Sequence, residues 1–225
     1  MRVRVMAAGL ASVAMLTGCG ALEAGIGATP PGKAGGNEPA DVKEARKELK
    51  GLEVKGRAPK TGFEREKFGP AWADVDRNGC DTRNDILKRD LREETFKPGT
   101  HDCIVLTGVL DDPYSGKTIK FKRGQDTSMA VQIDHLIPLS DAWQKGAQRW
   151  PADKRKQFAN DPLNLLAVDG PLNGQKSDAD AATWLPPRKG YRCAYIARQI
   201  TVKAKYALWV TAAEKAAMEG VLSSC

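Results

Sequence analysis

Apolar positions recur along this chain in two periods, one of two residues and one close to the helical repeat. The shorter period occurs at residues 129–133, where alternating apolar side chains predict a strand that ends at the adjacent pair Asp134 and His135. Residues 103–110 and 117–122 flank the turn sequence DDPYSG and predict a β-hairpin. We therefore expect strands in the middle of the chain, one of them ending on an acid and an imidazole.

The helical period predicts most of the other elements. Apolar residues at helical spacing indicate amphipathic helices at residues 82–93 and 195–209. Thr211, followed three residues later by Glu214, forms a capping box that predicts a last helix ending near residue 222. Shorter helical segments are predicted at residues 140–148, 152–158 and 181–185. This mixture of strands and helices indicates the α+β class.

Length and charge narrow the possible domain organisation and the possible binding partners. The 225 residues can bury the core of one domain, which we expect to occupy residues 60–225. The formal net charge is +7, from 35 basic and 28 acidic residues, and the isoelectric point is near 9.2. A basic chain favours a polyanionic partner such as nucleic acid or anionic lipid.

The N-terminus has the pattern of an export signal. Residues 1–18 combine an early positive charge with a short apolar stretch, and LTGC ending at Cys19 resembles the bacterial lipobox. This pattern predicts a lipid-modified Cys19, attachment to the extracellular face of the membrane, and a flexible tether over residues 19–59. An ordinary cleaved signal is the alternative. A transmembrane helix fits least, because the apolar run is too short to span a bilayer.

The remaining cysteines are even in number: Cys80, Cys103, Cys193 and Cys225. In an exported protein this predicts two disulfides, with three pairings possible. We favour Cys80 with Cys103 and Cys193 with Cys225, since each pair joins sequence neighbours and flanks the central stretch. Zinc is the rival interpretation, but the chain contains no CxxC pair.

Only two histidines, His101 and His135, are available for chemistry. His135 beside Asp134 at a strand end fits metal-assisted hydrolysis, in which a carboxylate holds a hard cation and the imidazole takes a proton from water. The alternative is a buried Asp–His pair with a structural role alone. His101 lies beside a turn and is expected at the surface.

Three blocks in order, IDHLIP, LNLLAV and NGQKSD, resemble the HNH, or ββα-metal, endonuclease motif. They are similar to the HNH nuclease domain of CRISPR effectors and to the secreted bacterial branch often called DUF1524. The resemblance extends over residues 63–225. It implies a ββα-metal core with additional helices and a β-hairpin, and cleavage of phosphodiester bonds in nucleic acid.

The resemblance also implies a role for each matching residue. His135 would be the general base, and Asp134 and Asn173 would hold the metal. Asn164 would orient His135, either by accepting its other ring N–H or by fixing the loop. Asn173 stands where the family name expects a second histidine, as it does in the CRISPR-type branch. An oxygen-rich set of ligands suits one Mg²⁺, or Mn²⁺, better than zinc.

Two cations are candidates for phosphate contacts. Lys176 follows Asn173 by three residues and so shares its helix face, although a solvated lysine is the equal alternative. Arg83 lies on the helix predicted at residues 82–93, where it could bind phosphate or simply be a surface charge.

The sequence therefore predicts a non-specific extracellular endonuclease, with DNA as the first candidate substrate, because no recognition helix is evident. One alternative is a non-catalytic envelope lipoprotein that binds nucleic acid or a protein partner. Another is a hydrolase of a different phosphodiester, such as a wall teichoic-acid polymer.

Overall fold

A computed structural model describes residues 42–225, and these all belong to one compact unit. The predicted signal at residues 1–18 and Cys19 lie outside the described residues. Helix α1 (Val42–Gly51) is strongly charged, yet it buries Ala45 and Leu49, which are four residues apart on one face. This face packs in the main hydrophobic core against the C-terminal helices. The folded part thus extends upstream of residue 60.

A three-stranded antiparallel sheet follows helix α2 (Thr82–Asp90). Its strands, in spatial order, are β1 (Leu91–Phe96), β2 (Val105–Asp111) and β3 (Thr118–Lys122). Strands β2 and β3 form the predicted hairpin. Strand β1 was not predicted, and the helix expected at residues 82–93 ends at Asp90, where β1 begins.

A second, two-stranded antiparallel sheet carries the acid and imidazole. Strand β4 (Val131–His135) pairs with β5 (Leu165–Asp169), with His135 opposite Leu165. Helix α5 (Gly170–Lys176) starts immediately after β5 and contacts both strands. A Cβ atom at Gly170 would lie 2.0 Å from the carbonyl oxygen of Met129, so only glycine allows the helix to start this close to β4.

Both faces of the β4–β5 sheet are buried. Leu166 and Val168 pack in the core that contains α1 and the C-terminal helices, while Leu165 and Ala167 pack against α2 and the first sheet. A strand buried on two sides has no polar face, which explains why LLAV is apolar without interruption. The sheet therefore lies in the interior, with only its ends open to ligands.

The remaining helices are α3 (Leu139–Gln144), α4 (Ala152–Ala159), α6 (Arg192–Tyr206) and α7 (Ala212–Ser223). The capping box that predicted α7 is present, since the Thr211 hydroxyl accepts the Glu214 backbone N–H at 3.1 Å. Helix α3 is shorter than predicted, and residues 181–183 form a turn instead of a helix. Within residues 42–225, none of the helices has the length and apolar character needed to cross a bilayer.

Two disulfides join the predicted partners. Cys80 bonds Cys103, with their Cα atoms 5.0 Å apart, and Cys193 bonds Cys225, with a separation of 5.9 Å. The second bond closes because antiparallel α6 and α7 bring the chain end back to the start of α6. Each would contribute about 3 kcal/mol in the chain-entropy description of cross-links.

A buried ion network fixes the chain beyond α5. The Lys145 ammonium is fully buried and lies 2.7 Å from Asp141, 2.8 Å from Asp180 and 2.7 Å from Glu214. Lys203 contacts Glu214 at 2.9 Å. Because charges in the interior must be paired to be tolerated, this network ties together α3, α6, α7 and the turn that follows α5.

Candidate active site

Asp134 is engaged on both carboxylate oxygens. Its Oδ1 lies 2.8 Å from the Lys176 ammonium, and its Oδ2 accepts a hydrogen bond of 2.6 Å from the Tyr114 hydroxyl. Lys176 also donates to the His135 carbonyl at 2.9 Å. Burial, and then the charge of Asp134, raise the pKa of Tyr114 well above its usual value, so the phenol stays a donor. Both oxygens of the Asp134 carboxylate are therefore hydrogen-bonded, and the group is held in one orientation.

Lys176 occupies a different environment from the one expected for a phosphate contact. Its side chain is fully buried, and its ammonium bonds Asp134 and the backbone of β4. The Lys176 ammonium is therefore enclosed by protein and interacts with groups of the site itself. The sequence correctly placed Lys176 and Asn173 on one helix, α5. It carried no information about the burial of the Lys176 side chain.

The imidazole of His135 is oriented by a backbone carbonyl. Its Nε2 lies 2.8 Å from the carbonyl oxygen of Ala159. Because a carbonyl can only accept, this contact assigns the proton to Nε2 and leaves Nδ1 as an unprotonated acceptor. The ring also stacks on Trp72, with centroids 6.0 Å apart and planes 14° apart.

The protonation state of His135 follows from its surroundings. Burial lowers the pKa of His135 to about 4, the charges of Arg65 and Lys176 act in the same direction, and the Ala159 carbonyl opposes them. The imidazole is therefore neutral near pH 7. A neutral ring with a free Nδ1 can accept a proton, which a general base requires.

Asn164 fixes the loop that follows His135. The side chain is fully buried, and its Oδ1 accepts the Ile137 N–H at 2.8 Å while its Nδ2 donates to the Ile137 carbonyl at 3.3 Å. Its own carbonyl accepts the Leu136 N–H at 2.8 Å. These contacts fit the loop-fixing alternative, and Ala159 takes the ring N–H that Asn164 was also considered for.

Two arginines hold the turn that contains Asn164. Arg89 donates to the carbonyls of Pro162 and Leu165, each at 2.7 Å, and Arg198 donates to the same two carbonyls, each at 2.8 Å. Both guanidiniums thus satisfy backbone acceptors on either side of Asn164. Sequence reasoning missed this role, since backbone carbonyls leave no trace in a residue pattern.

A polar cleft of about 300 Å³ brings three predicted residues together, namely Asp134, His135 and Asn173. Asn173 donates through Nδ2 to the Gln132 side chain at 2.9 Å, which leaves its amide oxygen as the remaining acceptor. The other polar side chains lining the cleft are Lys60, Arg65, Ser140, Ser177 and Asp178.

The cleft offers oxygen donors of the kind that Mg²⁺ accepts. Among residues 42–225, no three His, Cys, Asp or Glu side chains are grouped to hold a metal ion. The predicted ligands supply one carboxylate, Asp134, and one amide oxygen, Asn173, while the other carboxylate of the cleft, Asp178, is paired with Lys60. Mg²⁺ is commonly held by one or two protein oxygens and keeps several waters, so this set fits it. The buried ammonium of Lys176 would compete with the cation for Asp134.

Arg65 is the cation best placed for a phosphate. It is exposed, lines the cleft beside His135, and has no ion-pair partner in the described part of the chain. Lys60, at the same rim, is paired with Asp178 at 2.8 Å, and the Lys60 contact, followed by that of Ser140, lowers the pKa of Asp178. No sequence signal identified Arg65, which lies in a charged run far upstream of β4.

Arg83 lies away from this cleft. Its guanidinium stacks over the Phe121 ring, 5.8 Å from the ring centroid, on the three-stranded sheet. Burial, and then the charge of Arg123, lower the pKa of Arg83. Arg83 lines neither the cleft nor a second cavity that shares His135 with the cleft, so the structure does not bring it together with His135.

Comparison with known proteins agrees with the resemblance that the three sequence blocks indicated. The family described as GmrSD restriction endonucleases, C-terminal domain, matches residues 81–221. An uncharacterized secreted protein of Arthroderma benhamiae is 37% identical over 179 residues, covering 79% of this chain and 82% of that protein. No solved structure matches the chain. The matched range includes Asp134 and His135, whereas Arg65 and Trp72 lie upstream of it.

Proposed function

Because this chain belongs to the family of GmrSD restriction endonuclease C-terminal domains, we propose that it hydrolyses phosphodiester bonds in nucleic acid. One observation carries the proposal. The imidazole of His135 has a free Nδ1, set by the Ala159 carbonyl, and it lines the same polar cleft as the oxygens of Asp134 and Asn173. A base beside two hard oxygen donors is an arrangement suited to hydrolysis of a phosphate diester.

In the proposed mechanism, β4, β5 and α5 form a ββα-metal core of the HNH type. His135 accepts a proton from the attacking water at Nδ1, and Asn164 keeps the following loop in place. Asp134 and Asn173 would hold one Mg²⁺, with Mn²⁺ as the alternative, and the cation would supply charge stabilisation at the phosphate. Arg65 contacts the phosphate from the rim of the cleft.

Lys176 has a positioning role in this proposal. A buried carboxylate without a counter-ion is costly, and the Lys176 ammonium at 2.8 Å balances Asp134 in the free protein. The residue also fixes α5 to the end of β4 through the His135 carbonyl. Asn173, three residues earlier on α5, is thereby held at the cleft.

The place of action is proposed to be outside the cell. The N-terminal pattern at residues 1–18, the two disulfides and the description of the Arthroderma benhamiae relative as secreted all support export. We further propose that a bacterial lipobox at Cys19 anchors the chain to the outer face of the cell membrane. Little sequence specificity is expected, because the cationic side chains at the cleft, Lys60 and Arg65, suit phosphates better than base edges.

The test is a cleavage assay with Mg²⁺ on supercoiled plasmid, single-stranded DNA and RNA. The wild-type protein should cut at least one of these, and chelation with EDTA should stop it. His135→Ala should lower the rate by about 10²- to 10⁴-fold, the usual contribution of a general base. His101→Ala is the matched control, since His101 is exposed and lines neither the cleft nor its neighbouring cavity.

The second candidate is a non-catalytic lipoprotein that binds nucleic acid. The Asp134–Lys176 pair favours this candidate, because Lys176 already neutralises the only carboxylate that α5 and β4 offer to a metal. The two candidates differ in their response to EDTA. A protein that binds DNA equally well with and without Mg²⁺, and leaves every substrate intact, would be a binder.

A further inference from the structure

A second cavity adjoins the cleft and shares Arg65, His135 and Leu139 with it. Its volume is about 500 Å³, within the range of sites for small organic groups. Its wall differs from that of the cleft, since it is mainly apolar and aromatic: Phe68, Pro70, Ala71, Trp72, Leu139 and Ala159. A site for a flat, weakly polar group thus lies directly beside a site suited to a phosphate.

Trp72 is held against this cavity in a conformation that bulky residues rarely adopt. Its φ is 58°, in the left-handed region, where a large side chain is strained. Its carbonyl accepts the Thr82 N–H at 3.3 Å, next to the first turn of α2, which helps to maintain this backbone. The result is an indole ring nearly parallel to the His135 imidazole on the cavity wall. Planar aromatic walls are the surfaces on which nucleic acid bases stack.

Asn160 lines the same cavity and carries a buried side-chain oxygen that has no hydrogen-bond partner among the described residues. The residue is 1% exposed, and its Nδ2 donates to the Lys156 carbonyl at 2.9 Å. Its Oδ1 accepts no hydrogen bond from the described residues. A buried acceptor without a donor is unfavourable, and an N–H group of a ligand would satisfy it. The amino and imino groups of bases are donors of this kind.

The charged residues that line the cavity and the cleft favour different parts of a nucleotide. Glu66 lines the aromatic cavity and is absent from the lining of the cleft, so an anionic phosphate is disfavoured in the cavity. Arg65 lines both spaces and is exposed, so it can contact a phosphate that lies between them.

We propose that the cavity beside Trp72 receives one unstacked base of the substrate strand while the neighbouring phosphate lies in the cleft at His135. This inference rests on the proposed function and adds a substrate class to it. A base must leave its stack to enter the cavity, so single-stranded or distorted nucleic acid is the preferred substrate over an intact duplex. Neither Trp72 nor Arg65 falls within the range that the endonuclease family matches.

Binding tests the cavity without requiring cleavage. The full chain, in EDTA, is titrated into a labelled single-stranded DNA 12-mer and into a strand of equal length in which every base is replaced by an abasic unit. The wild type should bind the base-containing strand more tightly. Trp72→Ala should weaken that binding by about tenfold, the effect of losing one base stack, and should leave the abasic strand unaffected. Trp72→Phe, which keeps an aromatic ring, should retain most of the affinity.

Met129→Ala is the control for loss of an exposed apolar side chain, because Met129 is 61% exposed and lines neither space. Equal wild-type affinity for the two strands, or an equal loss on both strands in Trp72→Ala and Trp72→Phe, would overturn the inference. Equal losses would make Trp72 a positioning residue for His135.

Cleavage with Mg²⁺ separates the two proposals. A wild type that discriminates between the strands in binding, but cuts neither of them and also leaves plasmid, single-stranded DNA and RNA intact, would refute the nuclease and leave the base site intact. A wild type that cuts both strands alike, with Trp72→Ala unchanged on either, would keep the nuclease and refute the base site.

Discussion

The ammonium of Lys176 lies 2.8 Å from Oδ1 of Asp134, and both side chains are buried. Removing one member of such a pair leaves an isolated charge in the interior, which typically costs about 3–5 kcal/mol. The pair thus links the stability of the fold to the group proposed to hold a cation.

We predict that Lys176→Met lowers the free energy of unfolding by roughly 3 kcal/mol. Mg²⁺ should recover part of this loss, because a cation bound at Asp134 would replace the missing positive charge. Urea unfolding with and without Mg²⁺ measures both effects. Lys60→Met is the control, since its exposed pair with Asp178 should be worth about 1 kcal/mol or less. A stability of Lys176→Met that does not respond to Mg²⁺ would argue against a cation at Asp134.

Arg65 and Arg83 provide a matched comparison of two arginines. We predict that Arg65→Ala raises the KM for single-stranded DNA roughly tenfold, because a charge-assisted contact to phosphate is lost. It should also reduce the slope of log affinity against log salt by about 0.7. Arg83→Ala should change neither quantity, since Arg83 lies over Phe121 away from the cleft. Equal effects of the two substitutions would show that general surface charge, and not Arg65 itself, binds the strand.

Asn164→Ala should leave the N–H and carbonyl of Ile137 without partners in the interior. We predict a loss of about 1–3 kcal/mol in unfolding free energy, together with a lower kcat, because the loop after His135 is released. Asn164→Asp keeps the acceptor for the Ile137 N–H but places a buried carboxylate against the Ile137 carbonyl, so it should lose at least as much stability. Denaturation curves and single-turnover rates measure these quantities. Unchanged kcat in a folded Asn164→Ala protein would separate the loop from catalysis.

The pH dependence of the unfolding free energy should reveal the contribution of Asp180 to stability. Its burial opposes ionisation, but the contact with Lys145 at 2.8 Å and the charge of Arg57 lower the pKa of Asp180 to about 2, from 3.8 in the unfolded chain. Ionised Asp180 therefore stabilises the fold fully above pH 3.8, and this stabilisation disappears as the pH falls toward 2. The expected loss is about 2 kcal/mol.

Acid unfolding of wild type and Asp180→Asn checks this prediction. The variant should start from a lower stability near neutral pH and lose less of it on acidification, while the exposed Asp153→Asn should follow the wild type. Parallel acid curves for wild type and Asp180→Asn would assign the acid sensitivity to other groups.

The sequence predicted the elements whose signals are local. The strand ending at Asp134 and His135, the hairpin, the capping box at Thr211 and both disulfide pairs were all found. It missed β1, because LREETF has apolar residues only at its ends and becomes a strand by pairing with β2. There the tertiary environment decides the conformation, and intrinsic propensity does not.

The site was predictable in its residue types and less so in its surroundings. Asp134, His135 and Asn173 share a cleft, as the resemblance to the HNH family implied. The Ala159 carbonyl that orients His135 is a backbone group and carries no side-chain signal. Lys176 is a charged residue that a sequence pattern assigns to the surface, and its burial follows only from its meeting with Asp134.

The interior position of β4 and β5 has a consequence for the cell that makes this protein. The cleft combines the end of a strand buried on both faces with Arg65 from far upstream and Asn173 from the helix that follows β5. No short segment of the chain contains this set, so under the proposed function activity belongs to the finished fold alone. A chain that leaves the cytoplasm unfolded would have no assembled cleft there and could not cut the DNA of its own cell. It would become a nuclease only after folding outside.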